Sequence, residues 1–408
     1  MNRRILLIIL TVIGLVFQIT FLGVGAQTEQ PQSLASFYDG AIVIEKSPAY
    51  SDDWSNFQML DGNPKTGWCC PDGKISGNVI VIELAEKSVV ERVEFDTAHA
   101  DGAGRGAKDI IIELSEEGAK EGFTEIVRVT LVDREDNQSF PVTNDKEGKW
   151  LRLTVLDNHG DNQYTELMDF RAYGKQLTKT TITDVSGTYA TNYNDFHLRQ
   201  EGTSVTGCYE WDQGILNGGI EGRIMKFTWI ETGQKGPAVM VFTSDGQKFY
   251  GLWWYEGKED GPGGIWDGEK ISEEVGGCAH WGGGVQETMT DELLEYGRVR
   301  LYGINFDYDS AVIRAESKPT LDKIVAMLKS EEEMQLIIEG HTDSDGSTQH
   351  NEVLSQERAE SVKDYLISAG IDASRLFAEG HGESEPVAPN TTETGKAQNR
   401  RVELAVKN

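Results

Sequence analysis

The chain has 408 residues and a formal net charge of −29 at pH 7. A chain of this length exceeds one ordinary hydrophobic core, so two or three domains are expected. Its strongly negative envelope repels phosphate backbones and anionic lipid headgroups, which makes nucleic acid a poor candidate partner. An anionic partner must therefore be held by a local cationic site.

Residues 1–26 have the pattern of an export signal. Arg3 and Arg4 precede a long apolar stretch, and the small residues Val24–Ala26 provide a cleavage position at the end of the segment. The alternative is an uncleaved membrane anchor, because residues 5–24 are just long enough to span a bilayer. Polar residues interrupt the stretch and favour cleavage, so we expect an exported protein.

Export makes the cysteines candidates for disulfide bonds. Cys208 and Cys278 flank a tryptophan-rich segment and are the preferred pair. Cys69 and Cys70 are adjacent in sequence, and a bond between neighbouring residues is strained. We therefore expect a disulfide bond between Cys208 and Cys278.

Residues 36–176 alternate short apolar runs with Gly, Asp and Asn, which is typical of an all-β sandwich. Within this region LDGNPKTGW, at 60–68, and MDFRAYG, at 168–174, resemble the discoidin, or coagulation-factor type C, family. The resemblance implies a galactose-binding-like jelly roll. The sugar-binding residues of that family lie in variable loops, so the resemblance assigns none of them here.

The same resemblance implies a structural Ca²⁺ site where the Asp-Gly-Asn-Pro turn meets the end of the domain. Oxygen ligands of the kind that Ca²⁺ prefers occupy the matching positions. They are Asp61, Asn63, Thr66 and Asp169. The alternative is an Asx turn, which Asp-Gly-Asn-Pro forms without a metal.

Residues 180–275 contain short strand-like runs separated by turn residues, which predicts an antiparallel meander or small barrel. The tryptophans of this region either form a sugar-stacking platform or pack in the core, and core packing is the more common outcome. They are Trp211, Trp229, Trp253, Trp254 and Trp266. Residues 276–298 begin Gly-rich and turn acidic, as expected of a linker followed by a short helix.

Residues 299–408 alternate strands with helices, which predicts an α/β domain with a βαβαβ layer. Arg358 lies in the apolar stripe of a helix expected from about residue 351 to 369, because Leu354 and Val362 stand four residues to either side. A guanidinium in that position needs an anion. Asp343 follows the preceding strand, at the end where open α/β sheets bind ligands.

The residues alone leave the roles of Asp343 and Arg358 open. They form either an internal ion pair or the two ends of a clamp for a zwitterion, with Asp343 binding an ammonium group and Arg358 a carboxylate. The spacing from His341 to Glu352 also resembles an EF-hand calcium loop, but His341 replaces the first carboxylate and a strand precedes the loop. A zinc site built from His341 and His381 lacks an identifiable third ligand.

Four segments of the last region resemble the OmpA-like carboxy-terminal domain, whose members bind peptidoglycan non-covalently. They are INFDYDSAVI, IEGHTDSDGSTQHNEVLSQERAESVKDYLISAGI, AEGHGESEPVAPN and NRRVEL. The resemblance covers about residues 299–407, and it implies that Asp343 and Arg358 bind the free amino and carboxylate groups of diaminopimelate in the stem peptide. The residues that it assigns to this pocket are Thr342, Asp343, Asn351, Arg358 and Arg401.

These features together predict a non-enzymatic protein of the periplasm, anchored to peptidoglycan and associated with the outer membrane. The β domains are expected to bind a second partner, either a carbohydrate or an envelope protein. The alternatives are a cell-wall-active enzyme with accessory binding domains and a structural calcium-binding protein. The sequence carries no G-x-S-x-G or H-E-x-x-H motif, which argues against an enzyme. Residues 5–24 also lack the intramembrane acid that an ion-driven motor stator requires.

Overall fold

The computed structural model describes residues 33–178, 180–257, 262–391 and 393–407. The expected export signal, residues 1–26, lies outside these ranges. Within them, no helix combines the length and the apolarity that crossing a bilayer would require.

The first domain is an antiparallel β sandwich, as the alternating apolar pattern predicts. Its strands are β1 (Ile42–Glu45), β2 (Trp68–Cys69), β3 (Asn78–Asp96), β4 (Asp109–Ser115), β5 (Thr124–Thr130), β6 (Gln138–Pro141), β7 (Glu147–Val155), β8 (Glu166–Leu167) and β9 (Asp169–Gln176). The main sheet has the order β1-β3-β7-β4-β5, with β6 and β9 also paired to β3, and β2 pairs with β8. Ile80, Ile82 and Leu84 alternate along β3 and are buried in the core.

The second domain is a closed barrel of eight antiparallel strands. They are β10 (Gly187–Thr191), β11 (Phe196–Glu201), β12 (Ser204–Tyr209), β13 (Gly214–Glu221), β14 (Ile224–Glu231), β15 (Gln234–Phe242), β16 (Lys248–Trp253) and β17 (Gly264–Ser272). Trp229, Trp253 and Trp266 pack inside it, so the core interpretation of these residues is confirmed. Trp254 is buried against the sandwich, whereas Trp211 is 62% exposed.

The predicted disulfide bond between Cys208 and Cys278 is confirmed. It ties the end of β12 to the segment that follows the barrel, while Cys69 and Cys70 are buried free thiols in the sandwich. Burial raises the pKa of the Cys69 thiol to about 12. Cys69 is therefore a protonated, unreactive group at neutral pH.

The third domain is α/β, as predicted. Its elements are α1 (Val285–Tyr296), β18 (Arg298–Arg300), α2 (Lys318–Ser330), β19 (Leu336–His341), α3 (Thr348–Ser368), β20 (Leu376–Gly382), α4 (Glu393–Asn399) and β21 (Arg401–Val406). The sheet order is β18-β21-β19-β20, and β19 runs parallel to β20. Ile338 of β19 and Leu404 of β21 share one core with Leu321 of α2 and Val362 of α3, so the helices cover one face of the sheet.

Helix α1 joins the barrel to the third domain within the segment expected to be a linker. Its Met289 and Leu293 belong to the core of the third domain. On the barrel side, the Glu292 carboxylate accepts a hydrogen bond of 2.6 Å from Nδ2 of Asn217 in β13. Both groups are buried, so α1 is anchored on two sides.

A second junction unites all three domains. Val239 and Leu252, on the outer face of the barrel, lie in one apolar cluster with the core of the sandwich and with Ala397 of α4. Beside this cluster, the buried guanidinium of Arg223, in the turn before β14, lies 3.0 Å from the Glu83 carboxylate of β3. The described domains therefore pack directly on one another.

Candidate functional site

The residues predicted to bind a ligand come together where β19 ends and α3 begins. Ser347 caps α3 by accepting a hydrogen bond from the backbone N–H of His350, so the helix starts a few residues earlier than expected. Gly340 brings strand and helix into contact, since a Cβ there would lie 2.1 Å from the carbonyl oxygen of Ser355. The loop that carries Asp343 is thereby pressed against the first turns of α3.

Asp343 is held firmly in this loop. Its side chain is 9% exposed, and Oδ1 accepts a hydrogen bond of 3.0 Å from the backbone N–H of Asp345. Its Oδ2 forms an ion pair with the guanidinium of Arg400. Asn351, in the first turn of α3, donates from Nδ2 to the backbone oxygen of Asp343 at 3.1 Å and to the Glu383 carboxylate at 2.6 Å. The carboxylate is thus oriented before any ligand arrives.

Arg358 has no carboxylate partner within salt-bridge distance in the described part of the chain. Its Nε donates to the backbone oxygen of Ser310 at 3.0 Å, and its guanidinium lies 5.1 Å from the centre of the Phe306 ring. Burial lowers the pKa of Arg358, and the positive charge of Arg400 lowers it further. The site therefore contains a half-buried cation whose charge is not neutralised by direct contact.

The structure brings Arg400 to the pocket, whereas the resemblance pointed to its neighbour Arg401. Arg401 lies in β21 and donates to the Glu403 carboxylate at 2.6 Å and to the backbone oxygens of Asn399 and Glu385. Arg400 precedes the strand, which frees its side chain to reach Asp343. The sequence Asn-Arg-Arg at 399–401 indicates that an arginine lies near the pocket, but it does not indicate whether this residue is Arg400 or Arg401.

The backbone of Thr342 holds the loop of the candidate site in place. Its N–H donates to the Gly382 carbonyl at 2.8 Å, which ties the site loop to β20. The hydroxyl of Thr342 is buried and has no hydrogen-bond partner among the described residues.

A charged network covers the sheet face opposite the helices. Ligand atoms of Glu339, His341 and Glu403 all lie within 4.8 Å of one another, which is close enough for a metal ion. Arg298 already contacts both carboxylates. Burial, followed by the charge of Arg401, lowers the pKa of His341 to about 3, so this ring is neutral. Because guanidinium groups already balance the carboxylates, we interpret the network as structural.

The rings of His341 and His381, considered above as zinc ligands, stack with their centres 5.1 Å apart. In the described part of the structure, no group of three possible metal ligands contains both His341 and His381.

The four expected calcium ligands gather at the Asp-Gly-Asn-Pro turn. An Asx turn is present, because the backbone N–H of Asn63 donates to Oδ1 of Asp61 at 2.9 Å, and the Thr66 hydroxyl donates to both Asp61 oxygens. Asp169 is fully buried and its Oδ1 lacks a hydrogen-bond partner in the described structure. Burial raises the pKa of Asp61, and the charge of Asp169 raises it further. Oδ2 of Asp169 pairs with the Arg171 guanidinium. The oxygen atoms that fit a bound cation are therefore the free Oδ1 of Asp169 and the Asp61 carboxylate.

The loops at one end of the sandwich form a second polar cluster, which sequence patterns did not identify. Tyr50 is 57% exposed and meets Tyr164 edge to face, with ring centres 5.6 Å apart. The guanidinium of Arg105 lies over Tyr164 and 3.2 Å from the buried Glu166 carboxylate. Aromatic rings beside fixed charged groups are suited to the apolar faces and hydroxyl groups of a sugar.

Two family models match separate parts of the chain. Residues 305–400 match the OmpA family, and residues 43–170 match the F5/8 type C domain. The chain therefore carries a discoidin-like domain followed by an OmpA-family domain.

Individual relatives match the carboxy-terminal region. Outer membrane protein A of Bordetella avium is 41% identical over 101 residues, which cover 25% of this chain and 52% of that protein. The probable lipoprotein YiaD of Escherichia coli strain K12 is 42% identical over 103 residues, which cover 25% of this chain and 47% of that protein. The chain thus spans about half the length of these two relatives.

Two solved structures are similar to parts of the chain. The peptidoglycan-associated lipoprotein from Burkholderia pseudomallei is 33% identical, with a TM-score of 0.25, and the match covers 26% of this chain and 88% of that one. A CBM32 module of a family 31 glycoside hydrolase from Clostridium perfringens is 17% identical, with a TM-score of 0.29, covering 34% and 93% respectively.

Proposed function

We propose that this protein is a non-enzymatic component of the cell envelope that anchors to peptidoglycan through its carboxy-terminal domain. The OmpA-family match and the names of the relatives, which include outer membrane proteins and a peptidoglycan-associated lipoprotein, support this proposal. The observation that carries it is the half-buried guanidinium of Arg358, which has no carboxylate partner in the described structure although Asp343 stands at the same site.

The proposed ligand is the free zwitterionic end of diaminopimelate in the stem peptide. Its carboxylate would pair with Arg358 through charge-assisted hydrogen bonds. Its ammonium group would bind Asp343, sharing that carboxylate with Arg400. An uncharged analogue would leave Arg358 buried without an anion, which disfavours its binding. The site therefore selects by charge.

Replacing Asp343 should separate the two halves of the clamp. We expect Asp343→Asn to weaken binding of diaminopimelate by about 10-fold or more, because a charge-assisted bond to the ammonium group is lost. Binding of a des-amino analogue, which lacks that ammonium group, should change little. Isothermal titration calorimetry with both ligands measures the two losses.

The neighbouring Asp345→Asn is the matched control, since its side chain is 65% exposed and pairs with Lys396 at the rim. It should bind both ligands as the unmodified protein does. Equal losses for the two ligands in Asp343→Asn would contradict an ammonium contact.

We further propose that the sandwich binds a carbohydrate at the loop cluster of Tyr50, Tyr164 and Arg105, and that it holds a structural Ca²⁺. Asp61 and Asp169 would supply carboxylate oxygens to the ion, with Asn63 and Thr66 in the same turn. The ion would neutralise the Asp61 carboxylate, bind Oδ1 of Asp169, whose Oδ2 pairs with Arg171, and fix the turn. The unpartnered Oδ1 of Asp169 supports this assignment.

Calcium should stabilise the protein more at about pH 8 than at about pH 5. Burial raises the pKa of Asp169 to about 7, whereas an unfolded aspartate titrates near about 3.9. Without the ion, the folded state therefore binds a proton that the unfolded state lacks, and stability falls as pH rises from about 4 to about 7. Calcium binds the ionised carboxylates and offsets that loss.

Differential scanning calorimetry with calcium and with a chelator tests this expectation. We expect calcium to raise the melting temperature by about 5 °C at the higher pH and by much less at the lower pH. Asp169→Asn should abolish the difference between the calcium and chelator scans. A calcium effect of the same size at both pH values would contradict the assignment.

A further inference from the structure

Lys226 of the barrel points towards the carboxy-terminal domain. It lies in β14 between Gly219 of β13 and Val239 of β15. The residues on either side, Met225 and Phe227, belong to the barrel core. Because side chains alternate along a strand, Lys226 projects from the outer surface of the barrel.

One strand neighbour of Lys226, Gly219, touches the third domain. A Cβ at Gly219 would lie 2.2 Å from the backbone nitrogen of Gly303. The backbone N–H of Leu301 donates to the Val402 oxygen of β21 at 2.8 Å, so the chain at Gly303 runs beside the start of β21, next to Arg400. Lys226 is thus placed at the junction of the barrel with the site of Asp343 and Arg400.

The charges of that site act on Lys226. Burial lowers the pKa of its amine to about 8, and the positive charge of Arg400 lowers it further. Asp343 is among the acids that counter this shift. The amine and the proposed wall-binding site are therefore electrostatically connected.

Two cations near the site have no ion-pair partner among the described residues. Arg400 pairs with Asp343, and Lys396 pairs with Asp345 at 2.9 Å. Arg358 and Lys226, by contrast, form no ion pair with any carboxylate in the described ranges. The Glu383 carboxylate also lies at the site and accepts a hydrogen bond from Asn351, but it pairs with neither cation in the described ranges. The two unpaired cations are suited to a ligand with two carboxylates.

We propose that the barrel completes the wall-binding site, with Lys226 binding a second carboxylate, the terminal carboxylate of an uncrosslinked stem peptide. This inference rests on the proposed function, in which Arg358 binds the carboxylate at the free end of diaminopimelate. A cross-link through the terminal carboxyl group turns it into an amide and removes the charge that Lys226 would bind. The site would then prefer stem peptides whose end is free.

Isothermal titration calorimetry of the full-length protein with two soluble muropeptides tests this preference. Both contain diaminopimelate, and they differ in that one ends in a carboxylate and the other in a carboxamide. We expect amidation to weaken binding by about 10-fold in the unmodified protein. Lys226→Met should bind the carboxylate form about 10-fold more weakly and lose nothing further on amidation.

Lys248→Met is the matched control, because Lys248 also lies on a barrel strand but is 56% exposed and pairs with Glu269. It should keep the full effect of amidation, and Lys226→Arg should restore much of it. An equal amidation effect in the unmodified protein and in Lys226→Met would overturn the role of Lys226 while leaving the proposed function intact. Failure of the unmodified protein to bind either muropeptide would overturn both.

Discussion

Arg358→Ala should abolish retention of the protein on purified sacculi, with an affinity loss of about 100-fold or more. Truncating one partner of a desolvated charge pair costs about 2–5 kcal/mol, and each 1.4 kcal/mol is about tenfold in affinity. The variant should nevertheless fold. Among the described residues, the side chain of Arg358 makes one hydrogen bond, to the backbone oxygen of Ser310, and removing its guanidinium also removes a half-buried charge without an ion-pair partner.

Co-sedimentation with sacculi measures the retention, and calorimetry measures the melting temperature, which should change by no more than about 2 °C. Arg128→Ala removes the same charge from an exposed position on β5, where Arg128 pairs with Glu125. This control should sediment with the wall as the unmodified protein does. Retention of Arg358→Ala at the unmodified level would refute the assignment of the wall-binding site.

Arg223→Ala should produce the largest loss of stability, about 3–5 kcal/mol. The guanidinium of Arg223 is buried, lies 3.0 Å from the Glu83 carboxylate, and donates to the backbone oxygens of Gly40 and Glu83. Without it, a buried carboxylate and two carbonyl groups lose their partner. Lys149, at 3.5 Å from Glu83, compensates for part of the charge only.

Urea unfolding of Arg223→Ala, followed by tryptophan fluorescence, measures this loss. The double variant Arg223→Met with Glu83→Gln removes both charges and should be less destabilised than Arg223→Ala, because no buried charge is left alone. A midpoint for Arg223→Ala equal to that of the unmodified protein would show that the contact between sandwich and barrel does not depend on this pair.

Patterns within single elements were sufficient to predict the fold classes. Alternation along β3, with Ile80 and Ile82 directed inward, indicated a sandwich, and the four-residue recurrence around Arg358 indicated a helix facing a sheet. The closure of the barrel could not be predicted from patterns within single strands. It depends on the pairing of β10 with β17, between residues about 80 positions apart, such as Tyr189 and Lys270. No local signal specifies such a pair.

The neighbourhood of the proposed wall-binding site could be predicted in part. Asp343, Asn351 and Thr342 are fixed by the strand, loop and helix in which they occur, so their neighbourhood could be anticipated. The choice between Arg400 and Arg401 depends on where β21 begins, and strand ends are the least predictable feature of a sequence. Lys226 was missed because its approach to the site depends on how two domains pack, which no motif records.

Helix α1 has a mechanical consequence. A protein that grips the wall at one end and another surface at the other comes under tension when the envelope is strained. Leu293 of α1 lies in the core of the third domain, and Glu292 is hydrogen-bonded to the barrel. Such a load would therefore be carried as shear between packed side chains and not by the extension of a flexible linker. Under the proposed function, the packed domains would act as a spacer of constant length between the wall and the partner of the sandwich.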